Sequence, residues 1–196
     1  PIDVALEKKL ISQNQVSHIL QSIEDEFKGI IEESNFSALE SELNNLKDDL
    51  LKALDFSEID RLLIDALLAS ILKEHSSKSS EYYKRWSPGD LAARNILVAE
   101  NGNFKLIDFE WARKTHFYQE DWLRLFFYSN SSFRKNSFIR KIKSEFNSSL
   151  EPYFWLRQTI LDSIKYSGTN LIKYSNLNLK EAFISLYKPN LNSLFL

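Results

Sequence analysis

Between Pro88 and Arg113 the chain reads PGDLAARNILVAENGNFKLIDFEWAR, and its polar residues are spaced for one kind of chemistry. Asp90 is followed five residues later by Asn95, and further on by the pair Asp108-Phe109. Phosphoryl transfer needs one carboxylate to orient the attacking hydroxyl. It also needs an amide oxygen and a second carboxylate to hold Mg²⁺ against the nucleotide phosphates. Asp90 suits the first role, and Asn95 and Asp108 the second. A hairpin between Asn95 and Asp108 would fold the three groups into one cleft.

The local sequence predicts that hairpin. Residues 95–99 contain Ile96, Leu97 and Val98, an apolar run with two β-branched members. Asn101-Gly102 then predicts a two-residue type I′ turn, with positive φ at both positions. Phe104 to Ile107 returns as the second strand, and this hairpin is expected to be nearly the only β-structure. The rest reads as helix. Val16, Ile19, Leu20, Ile23, Phe27, Ile30 and Ile31 recur at three- and four-residue spacing. Asn35 or Ser37 could cap a helix carrying Leu39, Leu43, Leu46, Leu50, Leu51 and Leu54. Ser57 could cap the next, with Ile59, Leu62, Leu63, Ala66, Leu67 and Ile71 as its stripe. Residues 76–80 form a polar connector. After the motif, helices are predicted over 121–128, 137–146, 152–164 and 179–187.

The motif resembles the catalytic half of the kinase-like phosphotransferases. Asp90-Leu91-Ala92-Ala93-Arg94-Asn95 matches the catalytic loop D-x-x-x-x-N, and Asp108-Phe109-Glu110 stands where protein kinases have D-F-G. DLAARN is also found in tyrosine kinases, but that reading lacks DFG and any A-P-E segment. LIDFEWA is more similar to the aminoglycoside phosphotransferase and choline kinase branch. The close match covers residues 86–122. The resemblance implies an α+β, predominantly helical fold: the carboxy-terminal lobe of the kinase-like fold, with a small β-hairpin at the catalytic loop. It divides the chain into a helical segment (1–80), the catalytic segment (86–122) and a helical subdomain (123–196). It implies ATP and Mg²⁺ as cofactors, Asp90 as the catalytic carboxylate, and Asn95 and Asp108 as metal ligands. The implied acceptor is a hydroxyl of a small molecule, sugar or lipid-linked sugar, and the implied location cytoplasmic. Asp121 resembles the family Asp that buttresses the catalytic loop.

Each residue has a plainer alternative. An Asp after Pro-Gly commonly makes a turn bond, and Asn95 would serve as a strand-start cap. Asp108 lies between apolar neighbours, where an unpartnered carboxylate is costly, so a partner is expected for it. Glu110 would support a second metal or face solvent. Asp121 would otherwise cap a helix in front of Trp122. Arg134, Lys135, Arg140, Lys141 and Lys143 make a basic helix face, solvated by default.

Two departures from the family pattern stand out. Pro88 occupies the position where relatives have a His that orients the loop. No glycine-rich phosphate loop and no nucleotide-gripping Lys precedes Asp90, so an amino-terminal lobe or partner domain is expected from elsewhere. Without one, a non-catalytic kinase-like module is the alternative function. Composition excludes other classes. A net charge of −2 gives no global attraction to nucleic acid. The absence of Cys rules out disulfides and thiolate metal sites. His18, His75 and His116 lack metal-ligand spacing, and no apolar run reaches the ~18 residues of a membrane span.

Overall fold

A computed structural model describes residues 1–29, 31–78, 82–99, 101–144, 150–165 and 180–181. The chain is α+β and mostly helical. In order its elements are α1 (Ile2–Glu7), α2 (Gln13–Lys28), β1 (Ile31–Ser34), α3 (Phe36–Ala53), α4 (Glu58–Lys78), β2 (Tyr82–Ser87), a 3-10 turn (Ala93–Asn95), β3 (Ile96–Val98) and β4 (Phe104–Leu106). They continue with β5 (Arg113–Thr115), α5 (Glu120–Tyr128), α6 (Ser131–Arg134), α7 (Ser137–Ser144) and α8 (Leu150–Lys165). The chain divides into two compact units, residues 1–33 with 83–146, and residues 34–82 with 147–196.

The first unit holds the motif. Its core gathers Val16, Ile19, Leu20 and Ile23 of α2 against Ile96, Trp122, Leu125 and Phe133. The i, i+3, i+4, i+7 spacing of the α2 residues turns them to one face. Each fully buried aliphatic side chain contributes about 1.5–3 kcal/mol, so α2 anchors the loop residues Leu91 and Ala93 that share this cluster. Ser12 and Gln15 form a reciprocal capping box at its start.

The expected hairpin is present, with Ile96 opposite Leu106 and Val98 opposite Phe104. Its turn differs from the prediction. The Ala99 N–H donates to the Asn103 carbonyl (2.8 Å) and the Gly102 N–H to the Ala99 carbonyl (2.9 Å). The paired ends, Ala99 and Asn103, are therefore four positions apart and not the three of a two-residue turn. Gly102 has φ +83°, but Asn101 is not at positive φ. Asn101 instead accepts the Asn103 N–H on its side chain at 3.0 Å, a local Asx bond that stabilises the longer loop.

The hairpin is not nearly the only β-structure: β1, β2 and β5 form a second, three-stranded sheet in that order. β2 and β5 run antiparallel, with Trp86 opposite Lys114 and Ser87 opposite Arg113. Its strands are far apart in sequence, so no local turn signal announces it. Residues 1–80 are accordingly not all helix: Gly29 closes α2, and Ile31 is a strand residue, 50% exposed.

In the second unit α3 and α4 pack with α8. Asn35 caps α3 through the Ala38 N–H (2.9 Å), and the Ser57 hydroxyl accepts the Asp60 N–H at the start of α4 (3.2 Å). The buried stripe of α4 is Ile64, Leu67, Leu68 and Ile71. Ile59, Leu62, Leu63 and Ala66, assigned to it by spacing, are all exposed, Ile59 and Leu62 at 70% and 63%. Both registers satisfy helical periodicity, and tertiary packing selects between them. α4 runs on to Lys78, through the start of the expected connector. The predicted 179–187 helix lies outside the described residues except Lys180 and Glu181, which are helical. No helix among the described residues is long and apolar enough to cross a membrane.

Candidate functional site

The loop from Ser87 to Asn95 is shaped by one buried carboxylate. Asp121, 1% exposed in the first turn of α5, accepts the Ser87 hydroxyl, the Gly89 N–H (3.0 Å) and the Leu91 N–H (3.0 Å). These are charge-assisted bonds from groups that are themselves buried, the class that contributes most. Asp121 is therefore a loop buttress and not the helix cap, a position held by Gln119. Pro88 is buried, and with Asp121 bonding on both sides of it the loop is held without a His at that position.

Gly89 brings the two halves of the motif together. It has φ +80°, a conformation that L side chains rarely adopt, and a Cβ there would lie 2.0 Å from the Trp111 carbonyl oxygen. Only a residue without a side chain lets the segment after Asp108 press onto the loop that carries Asp90.

Asp90 and Asn95 are joined directly. The Asn95 Nδ2 donates to the Asp90 carbonyl at 2.8 Å, and the Asn95 N–H to the Ala92 carbonyl at 2.8 Å. Asn95 is 5% exposed. With Nδ2 committed to Asp90, its Oδ1 is the atom left to accept. The Asn95 carbonyl receives the Ile107 N–H at 3.0 Å, which sets the residue before Asp108 directly across from Asn95. The predicted trio thus lies on adjoining backbone, with Asp90 and Asn95 bonded to each other and Asp108 one residue beyond the bond that closes the hairpin.

Asp108 does not have the surroundings its sequence neighbours suggested. It is exposed, as are Ile107 (37%) and Phe109 (47%). The apolar neighbours themselves face outward, so the Asp108 carboxylate does not sit in an apolar setting. Asp108 is set apart by its φ of +67°, one of two non-glycine residues at positive φ among those described. Such conformations cost on the order of 1 kcal/mol and concentrate at functional sites. Glu110 is exposed in the turn that follows.

The sequence reading missed two arginines. Arg94, in the 3-10 turn that follows Asp90, donates to Asp90 Oδ2 at 2.7 Å. Arg124, on α5 and 5% exposed, brings NH1 to 3.5 Å from Asp90 Oδ1. The i,i+4 relation of Asp90 and Arg94 was available in the sequence. Arg124 was not, because Glu120 to Leu125 are buried on every side of α5, and no one-sided apolar pattern marks an Arg there.

Behind the loop lies a small pocket lined by Glu24, Phe27, Trp86, Tyr118 and Trp122, and none of Asp90, Asn95 or Asp108 lines it. Burial raises the Glu24 carboxyl above its ordinary value, against a hydrogen bond from Trp122 and the charges of Lys28 and Arg85. Burial likewise raises the Tyr118 phenol, against the Arg85 guanidinium stacked 4.6 Å over its ring.

Among the described residues no three His, Cys, Asp or Glu side chains converge on a metal position. The donors at hand are one carboxylate and one amide oxygen, a hard set that suits Mg²⁺, which keeps several waters and takes few protein ligands. No family model matches the chain, and no characterised protein or solved structure is similar to it at a significant level.

Proposed function

We propose that the first unit carries the acceptor- and metal-binding site of an ATP-dependent phosphotransferase acting on a hydroxyl of a small molecule, sugar or lipid-linked sugar. The observation that carries the reading is the closed chain Asp90–Asn95–Ile107, which ends on an exposed Asp108 at φ +67°. Asp tolerates positive φ in turns, so it is the bonding of Asp90, Asn95 and Ile107 beside Asp108, and not the φ alone, that favours this reading over a plain turn.

In this reading Asp90, fixed by Arg94 and Arg124, orients the acceptor hydroxyl. Asn95 Oδ1 and the Asp108 carboxylate would hold Mg²⁺. Bound Mg-ATP supplies the transferable phosphoryl and neutralises charge on its oxygens. Asp121 and Gly89 keep the loop in register, and positioning is most of what such a site contributes. A phosphate-gripping lysine has to come from an amino-terminal lobe or a partner. The cysteine-free composition suits a reducing compartment, and we place the protein in the cytoplasm.

The rival reading is a non-catalytic kinase-like module. It is favoured by the two arginines already paired with Asp90. Calorimetric titration with Mg-ATP, beside a phosphoryl-transfer assay, separates the two. These residues alone should bind Mg-ATP weakly and turn over little. In a form that carries the lysine, Asp90→Asn should abolish transfer and spare nucleotide binding, while Asp108→Ala weakens both. Transfer unaffected by Asp90→Asn would overturn the assignment.

A further inference from the structure

The segment from Ser131 to Ser144 contains Arg134, Lys135, Arg140, Lys141 and Lys143 and no acidic residue, in a chain whose net charge is −2. Its apolar residues all turn inward. Phe133 and Ile139 are buried in the core of the first unit, Phe138 packs edge-on against Trp122, and Ile142 is half-buried. Asn136 locks the junction of α6 and α7: its Nδ2 donates to the Gln13 carbonyl (3.0 Å) and to Ser17 Oγ (3.1 Å). Lys143 is engaged over the Phe126 and Phe127 rings. Arg134, Lys135, Arg140 and Lys141 are all exposed, and none enters an ion pair or side-chain hydrogen bond among the described residues.

Among the described residues these four cations make no ion pair, and on an inward-anchored scaffold they form a positive surface. Arg140 and Lys141 are consecutive helical residues, so they point about 100° apart. The pairs 134–135 and 140–141 sit on different elements. The cations therefore spread over an area and do not converge on one phosphate. With every apolar side chain committed to the core, this surface can attract but cannot insert.

From this we infer that the α6–α7 face docks on an anionic membrane surface through phospholipid headgroups, by charge and without insertion. Juxtamembrane cations contribute singly to such binding, and the attraction decays within a Debye length. The inference stands independently of phosphoryl transfer.

The test is co-sedimentation of the full chain with large vesicles at 0.1 M salt. One set is phosphatidylcholine alone, and the other contains 30% phosphatidylserine. Binding is expected only to the second set and should vanish at 0.5 M salt. Each charge removed should weaken it about fivefold, so Arg140→Gln with Lys141→Gln should cost about 25-fold. The pair Lys52→Gln and Lys73→Gln, with the same net change on other helices, should cost little. No binding to the anionic vesicles, or an equal loss in the control pair, would overturn the inference. So would binding of inositol hexakisphosphate or an RNA duplex without binding of vesicles.

Discussion

Removing the Asp121 carboxylate should unfold the site from behind. Its oxygens accept the Ser87 hydroxyl and the N–H groups of Gly89 and Leu91, and Ser87, Gly89 and Leu91 are all buried. In Asp121→Ala the two amides have no alternative acceptor, and water cannot reach them without opening the loop. A stranded buried donor costs about 1–3 kcal/mol. Two amides and the weaker loss at the rotatable Ser87 hydroxyl give about 3–5 kcal/mol. Asp121→Asn should cost less, about 1–3 kcal/mol. Its Oδ1 keeps the Leu91 N–H, but its amide nitrogen meets the Gly89 N–H donor to donor. Both losses are large against the ~5–15 kcal/mol that holds a domain. Urea unfolding followed by tryptophan fluorescence reads them, since Trp86, Trp111 and Trp122 all lie in the first unit. If Asp121→Ala falls within ~0.5 kcal/mol of the parent, the level of an ordinary surface substitution, the buttress account is wrong.

Other outcomes follow from the same geometry. Gly89→Ala should destabilise the first unit by about 3–5 kcal/mol, because its Cβ meets a backbone oxygen at 2.0 Å; a shift in unfolding midpoint measures it. Asp108→Gly should be at least as stable as the parent and Asp108→Ala about 1 kcal/mol less stable than the Gly variant, as expected where strain at φ +67° is retained for function and not for stability. Glu24 gives a pH dependence. Its folded carboxyl titrates above the ordinary value of 4.5, so the folded state holds the proton more tightly than the unfolded one. Stability therefore falls as pH rises from about 4.5 through the folded value. Glu24→Gln should flatten that slope, match the parent below 4.5 and exceed it at neutral pH; denaturation curves at stepped pH would show it.

Much of the site was legible because its signals are local. The Asp90–Asn95 spacing, the Asn-Gly turn and the apolar strands each act within a few residues, and together they located a hairpin that the structure contains. The turn length was misjudged because Asn101 uses its side chain where the prediction used its backbone. The three-stranded sheet was hidden because β1, β2 and β5 are separated by whole helices, and IEES and YYKRWS carry no hairpin link. Arg124 was hidden because α5 is buried on every side from Glu120 to Leu125, and nothing local marks an Arg in such a helix as buried. The exposure of Asp108 reversed an inference from neighbours, since Ile107 and Phe109 lie at the open end of the hairpin and not in the core.

The most direct test of the central claim is a Mg-ATP titration of the isotope-labelled chain by NMR, which detects weak binding. The Asn95 side-chain amide and the Asp108 backbone amide should shift together and only when Mg²⁺ is present, and Asp108→Ala should abolish both shifts without unfolding the loop. Unmoved Asn95 and Asp108 signals at millimolar Mg-ATP, or identical shifts with ATP and no metal, would contradict it.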